Sequence, residues 1–189
     1  MELQIKERVM VFIDGSNFYH GLKENCGKAS IDLLKFGRKV TGEDRDLVRI
    51  KYYNSPVHQE DDPQQYRRQQ KFFERLRKTP GLDFYLGRLM KRKKKCIHCR
   101  NTDIVYVEKG VDIHLATHML LNAFYDAYDT AILVSGDGDF VVAVNTIIMK
   151  GKKVENAYFT HKPRVSAALK KICTKFVPLD GNYLNDCFL

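Results

Sequence analysis

Residues 8–20 of the chain read RVMVFIDGSNFYH. The run VMVFI at 9–13 is apolar throughout, and it ends at the acid Asp14. A short apolar run rich in β-branched residues predicts a strand that is buried on both faces of a sheet. The residues from Ser16 to about Asn25 then predict a helix. A buried strand followed directly by a helix is typical of an α/β fold.

The rest of the chain repeats this alternation of strands and helices. Short β-rich segments alternate with amphipathic segments, so we expect right-handed βαβ crossovers and a mostly parallel sheet with helices on both faces, a Rossmann-like three-layer α/β/α fold. Strands are predicted at 8–14, 46–54, 83–89, 130–135, 153–158 and 175–178. Helices are predicted at 16–25, 31–40, 62–78, 110–128, 138–150 and 164–171. Residues 91–108 are highly charged and are expected to form an irregular insertion.

Length and composition limit the class of protein. The chain has 189 residues, of which 44% are apolar, which predicts one globular domain over residues 1–189. No apolar run approaches the ~18 residues of a membrane span, and the first residues, MELQIKER, lack the features of a signal peptide. The five cysteines are too sparse for a disulfide scaffold. We therefore expect a cytoplasmic protein with no membrane partner.

Acidic side chains follow the two most apolar predicted strands. Asp14 ends the first, and the sequence SGDGD at 135–139 places Asp137 and Asp139 after the strand TAILV. Asp112 opens the long helix that leads into that strand. Because ligands of a parallel sheet bind beyond the carboxyl ends of its strands, these acids converge if the two strands are neighbours. Such a cluster of oxygens suits Mg²⁺ or Mn²⁺.

Each of these motifs also has an ordinary structural interpretation. DGSN and SGDGD are good turn and helix-capping sequences, because Asp and Asn bind nearby backbone amides. Asp112 could simply complement the dipole of its helix. The functional interpretation rests on all three lying at the same edge of one predicted sheet.

Together, FIDGSNFYH, KGVDIHLATHML and ILVSGDGDF resemble the LabA-like branch of the NYN domains, which belong to the PIN superfamily of metal-dependent nucleases. The resemblance runs from about Val9 to about Val177. It implies a PIN-like fold and a Mg²⁺ or Mn²⁺ site. The catalytic residues it implies are Asp14, Asp112, Asp137 and Asp139, with Asp14, Asp112 and Asp137 as metal ligands and Ser16, Asn17 and Ser135 in support. It also implies products with a 5′-phosphate and a 3′-hydroxyl.

The chain departs from this family at two places. Many relatives carry an aspartate where this helix has His118, and we favour a structural role for His118 over contact with substrate. Many PIN nucleases also carry an acid after the second strand, where this chain has Asn54. The next acids, Glu60, Asp61 and Asp62, lie further along.

Basic and aromatic residues predict an RNA partner, most simply a single strand. The formal net charge is +9, and such an excess favours polyanions. Tyr19, Tyr52 and Tyr53 are candidates to stack on bases, although strand alternation places one of the last two in the core. The residues expected to contact RNA are Tyr19, Arg67, Arg68, Lys91, Arg92, Lys93, Lys94 and Lys95. A solvated charged surface is the alternative for the arginines of the 62–78 helix.

Cys96 and Cys99 form a lone CxxC pair. A structural zinc site is one interpretation, and two reduced thiols are the other, because a zinc site needs further ligands that the spacing does not supply.

Three classes of function remain. The first is a metal-dependent ribonuclease, which the four acids support. The second is an RNA- or protein-binding module of the same fold with weak or no catalysis, which His118 supports. The third, a phosphatase or a dinucleotide-binding enzyme, lacks its DxD or GxGxxG motif after the first strand. A homodimer is expected from the relatives.

Overall fold

A computed structural model of the chain describes residues 6–95, 102–161 and 165–189. The strands are β1 (Glu7–Asp14), β2 (Arg45–Asn54), β3 (Leu82–Leu86), β4 (Arg88–Lys95), β5 (Thr102–Lys109), β6 (Thr130–Val134), β7 (Lys153–Phe159) and β8 (Lys175–Leu179). The helices are α1 (Gly15–Cys26), α2 (Leu33–Thr41), α3 (Pro63–Lys78), α4 (Val111–Phe124), α5 (Val141–Met149) and α6 (Ala167–Ile172). Two short 3₁₀ turns lie at Gly138–Phe140 and Asn185–Cys187.

The central sheet has six strands in the order β3-β2-β1-β6-β7-β8, and every neighbouring pair is parallel. The predicted α/β class is confirmed. The chain builds the sheet outward in one direction through β2 and β3, and in the other through β7 and β8. The strand order therefore reverses between β1 and β6, and in open parallel sheets the ligand crevice lies at such a point. The pairing from Val9↔Thr130 to Ile13↔Val134 makes β1 and β6 direct neighbours.

Both faces of the sheet are covered. On one face, Val9, Val11 and Ile13 of β1 pack in a core with α1, α2 and α3. On the other face, Met10 and Phe12 pack with α4, α5 and α6. All five side chains are buried, which explains why this strand reads as an unbroken apolar run rather than an alternating one. Within the described ranges, no helix combines the length and apolar character needed to cross a membrane.

For the described residues 91–95 and 102–108, the prediction of an irregular segment is wrong. β4 and β5 pair antiparallel from Arg88↔Lys109 to Lys95↔Thr102, as a hairpin separate from the main sheet. The β-branched and aromatic residues of IVYV at 104–107 favour a strand, and they pair with the lysine-rich side of the hairpin. The predicted strand at 83–89 is also interrupted, because Gly87 separates β3 from β4. A Cβ on Gly87 would lie 2.6 Å from the Val111 side chain and 2.7 Å from the Lys109 carbonyl oxygen.

Candidate active site

Asp14 lies at the end of β1 and also caps helix α1. Its Oδ1 accepts a hydrogen bond from the Asn17 backbone N–H at 3.1 Å, and its Oδ2 accepts one from the Ser135 hydroxyl at 3.0 Å. The residue is only 6% exposed. A buried carboxylate held through both oxygens has one orientation, and each oxygen keeps a lone pair for another partner.

The loop after β6 is tied to Asp14 and to α1. The Ser135 hydroxyl accepts a hydrogen bond from the Asp137 N–H at 3.2 Å while it donates to Asp14. The Gly136 N–H donates to Asn17 Oδ1 at 3.3 Å, and Asp137 Oδ1 accepts from the Asp139 N–H at 3.0 Å. The structure therefore brings together the motifs DGSN and SGDGD, as the sequence predicted from their positions after neighbouring strands.

A buried asparagine that sequence reasoning missed supports this loop from β7. The Asn156 side-chain amide donates to the Leu133 carbonyl at 3.0 Å and to the Ser135 carbonyl at 2.8 Å. Asn156 is fully buried. No motif marks it in the sequence, because its role depends on the register of β7 against β6.

The acids of the site interact electrostatically. The pKa of Asp14 is raised to about 6: burial is the largest cause, the hydrogen bonds from Asn17 and Ser135 lower it, and the charges of Asp112 and Glu108 raise it. The pKa of Asp112 is raised by partial burial and by the charges of Asp137 and Asp139. The charges of Asp112 and Glu108 thus act on Asp14, and those of Asp137 and Asp139 act on Asp112. The four predicted catalytic acids therefore form one electrostatic cluster with Glu108.

Glu108, at the end of β5, is the acid that sequence reasoning missed. Burial raises its pKa, the Ser55 hydroxyl lowers it, and the charge of Asp112 raises it again. Among the described residues, Glu108 Oε1 and Ser55 Oγ are buried without a hydrogen-bond partner of normal geometry. The acids that follow β2 have other partners. Lys91 Nζ lies 3.1 Å from an Asp61 oxygen and 3.6 Å from a Glu60 oxygen. Asp62 caps α3. Glu108 directly precedes the KGVD sequence, which could have drawn attention to it.

The donor set of this cluster consists of carboxylate, hydroxyl and amide oxygens, which are the ligands of hard cations such as Mg²⁺ and Mn²⁺. Within the described part of the chain, no three His, Cys, Asp or Glu side chains form a ready-made metal site. The unpartnered Oε1 of Glu108 and the free lone pairs of Asp14 are nevertheless suited to a cation. Asp14, Asp112, Asp137 and Glu108 supply the carboxylate oxygens of the cluster, although among the described residues they are not gathered into a metal site.

Other residues singled out in the sequence lie outside the cluster. The His118 ring packs 4.4 Å from the Tyr85 ring, and its Nδ1 lies 3.0 Å from the Tyr53 hydroxyl, a structural contact between α4 and the sheet. Tyr52 and Tyr53 are both buried, on opposite faces of the sheet, so neither can stack on RNA as suggested. Strand alternation predicted that only one of the two tyrosines would be buried. Both are buried because β2 is covered on both faces.

The predicted RNA-binding residues are divided between two places. Tyr19 and Arg68 line a groove beside the carboxylate cluster, whereas Arg67 does not line it. Lys91, Arg92 and Lys93 are exposed on β4. The side chains of Lys94 and Lys95, and the CxxC cysteines Cys96 and Cys99, lie outside the described residues.

Comparison with known proteins agrees with this geometry. The family model of the NYN domain matches residues 8–180. A solved structure of a protein of unknown function from Vibrio parahaemolyticus is similar, with a TM-score of 0.69 and 25% identity over 97% of this chain and 99% of that chain. No curated protein matches the chain. The sheet, its switch point and the matched residues lead to one assignment: the chain belongs to the NYN domain family, a family of PIN-like nucleases.

Proposed function

We propose that this protein is a Mg²⁺- or Mn²⁺-dependent ribonuclease that hydrolyses phosphodiester bonds of RNA. One observation carries the proposal: a carboxylate, Asp14, stands at the switch point of the sheet, and burial, with smaller effects of the charges of Asp112 and Glu108, raises its pKa. Uncompensated acids at a ligand crevice are costly, and a divalent cation with a phosphate would remove that cost. Membership of a nuclease family supports the same function.

Each acid has a role that follows from its position. Asp14 and Asp112 are the proposed core ligands, with Asp137 completing the site. When bound, the cation lowers the pKa of coordinated water and neutralises charge on the phosphate. The Ser135 hydroxyl and the Asn17 backbone N–H hold Asp14 in place through the hydrogen bonds that they donate to it. Asp139 is the more exposed acid of the 3₁₀ turn. Its proposed role, shared with Asp137, is to orient the attacking water.

The expected reaction is hydrolysis with inversion at phosphorus. The water oxygen forms a bond to phosphorus as the bond from phosphorus to the 3′-oxygen breaks. The leaving oxygen takes a proton and becomes a 3′-hydroxyl, so the other product carries a 5′-phosphate. These end groups also follow from the family resemblance.

Cleavage of end-labelled single-stranded RNA tests the proposal. Wild-type protein is incubated with Mn²⁺, Mg²⁺ or EDTA, beside Asp14→Asn, Asp137→Asn and the control Asp46→Asn. Asp46 is exposed near the start of β2, whereas the cluster lies beyond the carboxyl ends of the strands. We expect metal-dependent cleavage that the first two substitutions abolish and the control retains.

Salt-dependent RNA binding without cleavage by the folded wild-type protein in either metal contradicts the proposal. The protein would then be a binding module that retains the fold and the acid cluster.

A further inference from the structure

A groove of about 960 Å³ lies beside the carboxylate cluster, between α1 and α3. Ser16, Ser55 and Glu108 are among its lining residues, so the groove reaches Glu108 of the acid cluster and the residue two positions after Asp14. Its other lining residues include one face of α3, the residues that precede α2, and Leu189. Its volume is at the upper end of the roughly 300–1,000 Å³ of ligand pockets, which leaves room for a short stretch of chain.

One face of α3 forms one wall of the groove. The lining residues of α3 follow the helical spacing i, i+3, i+4 and i+7, and they are Gln65, Arg68, Gln69, Phe72, Arg75, Leu76 and Lys78. Arg67 and Lys71 are also exposed on α3, but they do not line the groove. Basic residues of α3 therefore lie both inside and outside the groove, so variants of the two groups can be compared on the same helix.

The groove has an apolar floor and a cationic rim. Phe18, Leu22 and Leu76 are buried side chains at its floor. Arg68 and Arg75 from α3 are exposed on one rim, and Lys23 from α1 is exposed on the other. An apolar floor alone suits many ligands. A basic rim beside the proposed phosphodiesterase site favours a ligand that is a polyanion and also has apolar parts.

Aromatic rings with nearby cations strengthen this identification. Tyr19 is 41% exposed, and the Lys23 ammonium lies 5.7 Å from its ring centroid. The Arg75 guanidinium lies 6.0 Å from the ring centroid of Phe72. Grooves that combine backbone-tracking cations with aromatic rings bind single-stranded nucleic acid, because unpaired bases stack on the rings while the phosphates face the cations. In a duplex, the base faces are already stacked on one another and cannot reach an apolar floor.

We propose that the groove between α1 and α3 binds an unpaired segment of RNA next to the scissile phosphate. Bases stack on Tyr19 and Phe72, and backbone phosphates lie at Arg68 and Arg75. This inference rests on the proposed function to the extent that the bound strand continues into the acid cluster. It assigns single-strand selection to this groove rather than to the lysine-rich hairpin.

Fluorescence anisotropy in EDTA separates binding from cleavage. The probes are a labelled 12-nucleotide RNA and an abasic strand of the same length. Arg68→Gln/Arg75→Gln is compared with Arg67→Gln/Lys71→Gln, which removes the same charge from the same helix. We expect the groove pair to weaken RNA binding at least ten-fold and to reduce the slope of log K against log salt by about 1.4, since each lost phosphate contact on a single strand contributes about 0.7. The control pair should change the slope by less than half as much.

Tyr19→Ala tests the stacking. We expect it to weaken binding of the RNA roughly five-fold or more and to leave binding of the abasic strand unchanged. Equal losses in the two charge pairs, or equal effects of Tyr19→Ala on both probes, would overturn the inference.

The cleavage assay keeps the two proposals distinguishable. If wild-type protein cuts RNA and both charge pairs bind it alike, the groove inference fails and the nuclease function stands. If wild-type protein cuts nothing and the groove pair alone loses binding, the nuclease function fails and the groove remains the RNA site.

Discussion

Replacement of Asp14 by asparagine should stabilise the metal-free protein at neutral pH. Burial raises the pKa of Asp14 from its ordinary value of 3.8 to about 6. Between these pH values the folded state binds a proton that the unfolded state has lost, so the stability falls as the pH rises and stays low above pH 6. About two pKa units correspond to roughly 3 kcal/mol. Asparagine removes this cost but weakens one of the hydrogen bonds from Asn17 or Ser135, at about 1 kcal/mol, which leaves a net gain of about 2 kcal/mol.

Urea and thermal unfolding in EDTA measure this gain. At pH 7.5, Asp14→Asn should melt about 4–8 °C above wild type, whereas at pH 4 the two should agree within about 1 kcal/mol. Asp139→Asn, the same change at an exposed acid of the cluster, should stay within about 0.5 kcal/mol of wild type. Added Mn²⁺ should stabilise the wild type and not the variant. A variant that is less stable than wild type at pH 7.5 in EDTA would refute the claim that Asp14 is an uncompensated buried acid.

Two further substitutions test the surroundings of Asp14. Gly15→Ala should destabilise the fold by about 1–3 kcal/mol in urea unfolding, because a Cβ there would lie 2.5 Å from the Tyr53 carbonyl oxygen and 2.6 Å from the Tyr52 ring. The control is Gly181→Ala, because a Cβ on Gly181 would face open space. Equal losses of stability in the two variants would contradict the close approach at Gly15. Glu108→Gln should lower Mn²⁺ affinity in calorimetry on the order of 10- to 100-fold without lowering metal-free stability; an unchanged affinity would remove Glu108 from the site.

The parts of the site that sequence reasoning found are those formed by local motifs at strand ends. An unbroken apolar strand must be central in a parallel sheet, and an acid that follows it must lie at the carboxyl edge. These two rules place Asp14 and the SGDGD loop together once β1 and β6 are neighbours. His118 was also correctly assigned a structural role, because a helix carries position 118 away from the face of Asp112.

The parts that sequence reasoning missed depend on long-range packing. Glu108 enters the cluster because a hairpin forms where the lysine-rich composition suggested an irregular segment. Tyr52 and Tyr53 are both buried because helices cover both faces of β2, a fact that alternation within one strand cannot reveal. The groove beside the cluster depends on how α1 and α3 pack against the sheet, so its lining residues are scattered in the sequence.

The central claim is that the acids around Asp14 hold a divalent cation at the switch point of the sheet. Anomalous diffraction from crystals soaked in MnCl₂ tests it most directly, with Asp14→Asn crystals as the comparison. We predict a Mn²⁺ peak bound by the carboxylates of Asp14 and Asp112, at the roughly 2.0–2.3 Å of metal–oxygen bonds, and no peak at this position in the variant. A wild-type crystal without Mn²⁺ at these carboxylates at millimolar concentration would contradict the account.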